Sequence, residues 1–252
     1  MQILSANVLR SVRLIATDMD GTLTRHEKYT PKLLQTLTDL AVANIPVLIV
    51  TGRSAGWVNA IEHYLPIAGA IAENGGIFYR KGMAERLIEL PELQLHRQRL
   101  AQMFATLQQQ FPQIRTSEDN AFRITDWTFD VQGISLLELR QMECQCQAQG
   151  WGFTYSTVQC HIRPLGQDKA IGLKTVLSRF FADYDFREVV TVGDSPNDQS
   201  LFDPALFPIS VGVANLAHYT DQLQSLPAYL TQAAEVEGFC ELANILLTQR
   251  AA

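Results

Sequence analysis

No stretch of this chain stays apolar for the eighteen or so residues that a membrane-spanning helix needs. The opening MQILSANVLRSVR lacks a continuous apolar run and a cleavage site, so no secretory signal is expected. Cysteine is scarce, with four in 252 residues. Cys144 and Cys146 stand close together in a polar, helix-prone stretch, but no second close pair accompanies them. That spacing argues against a zinc site or a disulfide framework and for reduced thiols in a cytoplasmic protein. Repeats, low-complexity tracts and flexible linkers are also missing. Positive charge is in deficit, 20 Lys and Arg against 26 Asp and Glu, for a net charge of −6. A deficit of that sign disfavours nucleic acid and anionic membranes as partners. It leaves room for a small anionic substrate met by a few local cations. Apolar residues make up 47% of the chain, enough for a sizeable core.

Strand and helix signals alternate through the first third. Arg13–Thr17, Pro46–Val50 and Ala68–Ala72 read as short buried strands. Pro31–Asn44 and Ser54–Leu65 read as helices, the former with Thr30 as N-cap and Pro31 at its first position. Strands separated by helices imply parallel pairing through right-handed crossovers. The middle differs: Leu90–Phe111 and Leu136–Gln149 are helix-prone, while Ala121–Val131 and Gly152–Ile162 are β-like. The last third returns to the first pattern. Asp168–Phe181 and Glu241–Gln249 read as helices, and Glu188–Val192 and Ile209–Val213 as strands. The expected architecture is an α/β core with a Rossmann-like parallel sheet, formed by 1–78 and 165–252, interrupted by an inserted α+β unit at 79–164.

Ligands in open α/β sheets collect at the carboxyl ends of strands, and polar clusters in this chain fall at such ends or at a helix start. Asp18-Met-Asp20-Gly21-Thr22 follows the first strand. An aspartate can act as a nucleophile that forms an acyl phosphate, and a second acid can protonate a leaving alcohol and then activate water. Thr51-Gly52-Arg53 offers a hydroxyl and backbone N–H groups at a strand-to-helix turn, suited to phosphate oxygens but also to an ordinary N-cap. Lys169 opens a helix and could place a cation beside a transferring phosphoryl group. Gly193-Asp194-Ser195-Pro196-Asn197-Asp198 crowds two acids and an amide at another strand end, a donor set that suits Mg²⁺. Carboxylates from two distant strands would repel unless a cation lay between them.

In that order, DMDGT, TGR, Lys169 and GDSPND resemble the four motifs of the haloacid dehalogenase superfamily. The AENGG stretch at 72–76 and the insertion after the third strand resemble its subgroup with a type C2 cap, the Cof-like and sucrose-phosphate-phosphatase-like hydrolases. The resemblance implies Asp18 as nucleophile and Mg²⁺ ligand, and Asp20 as general acid and base that binds the metal through its carbonyl. It implies phosphate binding by Thr51, Gly52, Lys169 and Asn197. It also implies metal binding by Asp194 and metal support by Asp198. Ala170 departs from the pattern, because many relatives have glycine after the motif lysine.

A cap of this kind would exclude water and read the leaving group. Its candidate contacts are Arg123, Asp126, Trp127 and Asp130, then His161 and Arg163. Trp127 shares a strand face with Phe129 and fits a packed core as well, and His161 fits a packed histidine. The expected function is a Mg²⁺-dependent phosphatase of a small phosphorylated metabolite, a sugar phosphate, acting as a monomer or homodimer. A phosphomutase would instead give an isomer without free phosphate. A binding protein that keeps the fold would turn over nothing.

Overall fold

The structure, a computed structural model, describes residues 1–251. In chain order its elements are β1 (Gln2–Ile3), β2 (Leu14–Thr17), α1 (Pro31–Val42), β3 (Val47–Val50), α2 (Ala55–Tyr64) and β4 (Gly69–Ala72). Then follow β5 (Ile77–Arg80), β6 (Met83–Arg86), α3 (Leu93–Gln110), β7 (Trp127–Asp130), α4 (Leu136–Ala148), β8 (Trp151–Tyr155) and β9 (Gln159–Pro164). The chain closes with α5 (Lys169–Phe180), β10 (Val189–Gly193), β11 (Ile209–Gly212), β12 (Tyr229–Leu230) and α6 (Glu235–Ala251). Thr30 caps α1 as its sequence suggests, its Oγ1 accepting from the Leu33 N–H at 3.1 Å.

A nine-stranded sheet runs in the order β1-β12-β11-β10-β2-β3-β4-β5-β6. It is parallel from β1 to β4 and antiparallel from β4 to β6. The central strands β2, β3, β4 and β10 are buried along their whole length, which explains their continuous apolar sequences. Alternate residues feed two cores. Ile15, Val47 and Ile49 pack with residues of α1, α2 and α6, while Leu14, Ala16, Leu48 and Val50 pack with α5. A separate three-stranded antiparallel sheet, β7-β9-β8, buries Phe129, Phe153, Cys160 and Ile162 against α3 and α4. Among the described residues, no helix is long and apolar enough to cross a membrane.

Two regions differ from the sequence reading. The large sheet does not end near Tyr79, because a turn at Glu73–Gly76 folds β5 back on β4 (Ala72 opposite Ile77) and β6 extends it to Arg86. We therefore propose 87–164 as the inserted unit. Of the expected strand Ala121–Val131, only β7 forms. Glu118–Phe122 is a 3-10 helix. The segment after it is held by the Glu73 carboxylate, which accepts from the N–H groups of Ile124 and Thr125 and from the Thr125 hydroxyl.

The strand order sets the site. β10, β2 and β3 are neighbours, and Asp194, Asp18 and Thr51 follow at or directly beyond their carboxyl ends. The chain leaves β2 toward β3 on one side and returns through β10 on the other, which makes β2 the switch point of the sheet. The N-terminus of α5 reaches this edge because Gly172 packs on Gly75. A Cβ built on Gly172 would lie 2.5 Å from the Gly75 Cα. In an open helix, Gly→Ala gains about 1 kcal/mol. Here the forced backbone shift costs about 1–3 kcal/mol and should win. Gly172→Ala is expected to destabilise the protein in urea denaturation; a gain in stability would show that α5 and the 73–76 turn are free to separate.

Candidate active site

Asp18, Asp194 and Asp198 bring their carboxylate oxygens within 4.8 Å of one another, and all three are buried. One cation meets them. The Lys169 ammonium, itself 0% exposed, donates to Asp18 Oδ1 and to Asp198 Oδ1, the latter at 2.7 Å. The second Asp198 oxygen accepts from the backbone N–H groups of Asp194 (3.0 Å) and Ser195 (3.1 Å). Asp194 has only neutral donors, Asn215 at 2.9 Å and the Thr22 hydroxyl at 3.4 Å. Gly21 makes the approach possible: its φ is +81°, and a Cβ there would sit 2.3 Å from Asp194 Oδ2.

Charge is therefore out of balance. Burial raises the Asp18 carboxyl to about 7, with Lys169 opposing and the charges of Asp198 and Asp20 adding. Burial, then the charges of Asp18 and Asp198, push Asp194 well above the usual carboxylate range. Acidic oxygens in excess of cations fit a hard divalent cation, and Asp18 and Asp194 are the two with capacity left for it.

Asp20 turns elsewhere. Its carboxylate is gripped by Arg53, from Nε at 2.8 Å and Nη2 at 2.6 Å. Thr51 is buried and its Oγ1 accepts from the Arg53 N–H at 3.1 Å. Asn197 donates to Asn74 Oδ1 at 3.1 Å and accepts from the Ser195 hydroxyl at 2.8 Å. The buried Asn74 Nδ2 has no partner among the described residues and lies on the Gly52 side, 3.3 Å from a Cβ built there. An unpaired buried donor beside the Thr51–Gly52 turn is costly unless a ligand oxygen meets it. Ala170, in place of glycine, is buried in the apolar layer between α5 and the sheet.

The inserted unit closes over this edge. Asp18, Asp20, Gly52, Arg53, Ser195 and Asn197 from below meet Ser156, Val158, Gln159 and His161 from above, around a cleft of about 10 Å³. That is room for roughly one water. Of the cap residues expected at the substrate, Arg123, Asp126 and Trp127 do not line it. Arg123 is buried and pairs with Asp119 (2.8 Å) and Asp126 (2.9 Å), and reaches across to the Gly52 carbonyl at 3.0 Å. Asp126 also meets His161 Nδ1 at 2.9 Å. Burial alone would raise the Asp126 carboxyl, but Arg123 and His161 outweigh it and hold it low. Trp127 packs on Phe104 and under the Arg97 guanidinium, inside the cap. Arg53, Asn74, Ser195 and Asn215 were not singled out from the sequence. Arg53, Asn74 and Ser195 lie within quoted motifs, and Asn215 follows β11 as the other clusters follow their strands.

Residues 15–132 match the family of haloacid dehalogenase-like hydrolases. A phosphoglycolate phosphatase of Methanothermobacter thermautotrophicus is 25% identical over 233 residues, which cover 91% of this chain and 96% of that protein. A crystal structure of a Thermoplasma acidophilum protein superposes with a TM-score of 0.75 at 21% identity, covering 94% of this chain and 99% of the other. The sucrose-phosphatase of Synechocystis sp. PCC6803, solved with sucrose and phosphate, gives 0.66 at 15% identity, covering 92% and 97%. The two structural likenesses concern the fold; the family match falls on the aspartates after β2 and the Thr51 turn. Over residues 15–132 the chain resembles the haloacid dehalogenase-like hydrolases, and two of these similar proteins are phosphatases.

Proposed function

We propose that this protein is a phosphatase, cytoplasmic, monomeric or homodimeric, and Mg²⁺-dependent, and that it hydrolyses a small sugar phosphate through an aspartyl phosphate on Asp18. The observation that carries this reading is the buried trio Asp18, Asp194 and Asp198 beside the Thr51 turn, in which Lys169 pairs with Asp18 and Asp198 and leaves Asp194 to neutral donors. Asp18 and Asp194, with the Asp20 carbonyl, would hold Mg²⁺, which when bound offsets the charge of the phosphate and of the acids around it. Asp198 has both oxygens committed to Lys169 and the backbone. It serves as the post that positions Lys169 and the 194–195 loop.

In the first step an Asp18 oxygen attacks phosphorus and the bond to the leaving oxygen breaks. Lys169, the Thr51 hydroxyl, Asn197 and the Gly52 backbone hold the remaining oxygens, aimed where charge gathers in the transition state. Asp20 gives its proton to the leaving alkoxide. In the second step Asp20 takes a proton from water, which attacks the acyl phosphate and frees Asp18. Arg53 orients the Asp20 carboxyl through its two N–H groups and stays paired with it. A cleft this small admits substrate only when the cap lifts, so the Arg123 contact to Gly52 must break and re-form in each cycle.

EDTA should abolish turnover and Mg²⁺ should restore it, with Ca²⁺ a poor substitute because it takes more ligands at longer distances. Full activity in metal-free buffer would refute the metal's role. Asp18→Asn should lower kcat by at least roughly a thousandfold while the protein stays folded. Asp20→Asn should slow alkyl phosphates more than aryl phosphates, whose leaving oxygen needs less protonation. A normal rate for Asp18→Asn excludes the covalent route.

Stability should follow the acids. The folded Asp18 carboxyl is raised from 3.8 to about 7. Its contribution is therefore present at low pH and lost as pH rises through that window. The melting temperature of the metal-free protein should fall between about pH 4 and pH 7, and Mg²⁺ should stabilise it more at about pH 7 than at about pH 5. At a hundredfold excess over its dissociation constant, a ligand adds about 2.7 kcal/mol, or roughly 5–10 °C for a chain of this size. An equal Mg²⁺ shift at both pH values would mean that the acids are not its site.

A further inference from the structure

The cap's polar face carries His161, which the reaction above does not use. Along β9, Cys160 and Ile162 point into the cap core, so Gln159 and His161 face the catalytic edge. His161 is 1% exposed, and its ring lies against Gly52. A Cβ built on Gly52 would be 3.0 Å from Cε1 and 3.1 Å from Nε2. The imidazole thus overhangs the turn that carries Thr51 and lines the cleft with Asp18 and Asp20.

Its hydrogen-bonding character is set from behind. Nδ1 lies 2.9 Å from Asp126 Oδ2, a carboxylate that Arg123 keeps charged, so Nδ1 carries the proton. Asp126 is already balanced by Arg123, at 2.9 and 3.1 Å from its two oxygens, and a second positive charge on the imidazole is not needed there. Burial lowers the His161 pKa against the pull of Asp126 and keeps the ring neutral. Nε2 is then a bare acceptor, with no partner among the described residues.

Other groups around the cleft are committed. Gln159 accepts from Arg123 at 2.9 Å and donates to Asp119 at 3.3 Å. Each cation bordering the cleft, or holding the residues that line it, has its carboxylates: Arg53 has Asp20, Arg123 has Asp119 and Asp126, and Lys169 has Asp18 and Asp198. Ser156 Oγ accepts from the N–H groups of Val158 and Gln159 and keeps its proton to donate. A carboxylate on the leaving group would meet an acceptor and no spare cation. A hydroxyl would find an acceptor in His161 and a donor in Ser156.

We propose that His161 determines specificity: its Nε2 accepts a hydrogen bond from a hydroxyl on the leaving group, selecting polyol and sugar phosphates over carboxylated phosphate esters. This rests on the phosphatase reading above.

The test compares glycerol phosphate, propyl phosphate and phosphoglycolate. The unsubstituted enzyme should show kcat/KM for glycerol phosphate at least about tenfold above each of the others, the effect expected when one hydroxyl contact is lost. In folded His161→Leu the ratio of glycerol phosphate to propyl phosphate should fall toward one, and His161→Gln, which keeps an acceptor, should restore part of it. Independently of any variant, ¹⁵N NMR of the unsubstituted protein at neutral pH should find the His161 proton on Nδ1 and none on Nε2. An unchanged ratio in His161→Leu, a preference for phosphoglycolate, or a proton on Nε2 overturns the proposal and leaves the phosphatase reading intact. Failure of the unsubstituted enzyme to release phosphate from any of the three, or from p-nitrophenyl phosphate, overturns both.

Discussion

One buried ammonium shared among converging carboxylates is the constraint on which the rest of this molecule depends. Lys169 neutralises Asp18 and Asp198 and leaves Asp194 with neutral partners. Desolvating a lone carboxylate is expensive enough that such groups ordinarily pair or take a proton. The fold accepts the cost with devices that serve little else. Parallel strands place the acids side by side. Glycine at 21 and at 193 lets backbone approach carboxylate, a Cβ on Gly193 falling 2.5 Å from Asp198 Cγ. The Gly172–Gly75 contact presses the lysine helix onto the sheet edge. A site that is unstable alone suits the divalent cation and phosphate proposed for it.

Buried polar contacts bind the cap to this edge, beside the packing of Ile124 and Phe122 on the core. The Glu73 carboxylate, at the end of β4, accepts from the backbone of Ala55, Ile124 and Thr125. Glu73 and Asn74 adopt φ of +53° and +52°, conformations that side chains rarely take. The same turn therefore orients an amide toward the Gly52 side and anchors the cap segment that leads into β7. Arg123 answers from the other side through the Gly52 carbonyl. Cap position and the geometry of the Thr51–Gly52 turn are linked through this contact, and on the proposed reading that link would let contacts to the leaving group influence the chemistry.

Much of this was legible in the chain. Continuous apolar runs located the central strands. Three polar clusters stood where such a strand stops and Lys169 at a helix start, so the convergence of these residues was legible, while the roles proposed for them came from the resemblance. The cap was not legible. AFRITDWTFDV alternates well enough to suggest a single strand that presents Arg123 and Asp126 to a ligand. The partner that prevents that strand is Glu73, remote in sequence and marked by nothing local. Arg123 and Asp126 instead neutralise each other and orient His161. Trp127 followed its apolar face into the core, as its spacing with Phe129 allowed. The return of β5 on β4 was missed because its reversal depends on three consecutive positive-φ residues, of which only Gly75 is a glycine.

If the unpaired charge at Asp194 is what holds the metal, calorimetric titration of Mg²⁺ into the metal-free protein should show one site. Binding should release protons at neutral pH, because Asp18 is raised to about 7. Asp194→Asn should lose that site while remaining folded and, without metal, melt no lower than the parent. Equal Mg²⁺ affinity in the parent and in Asp194→Asn would contradict the charge imbalance as the origin of the site.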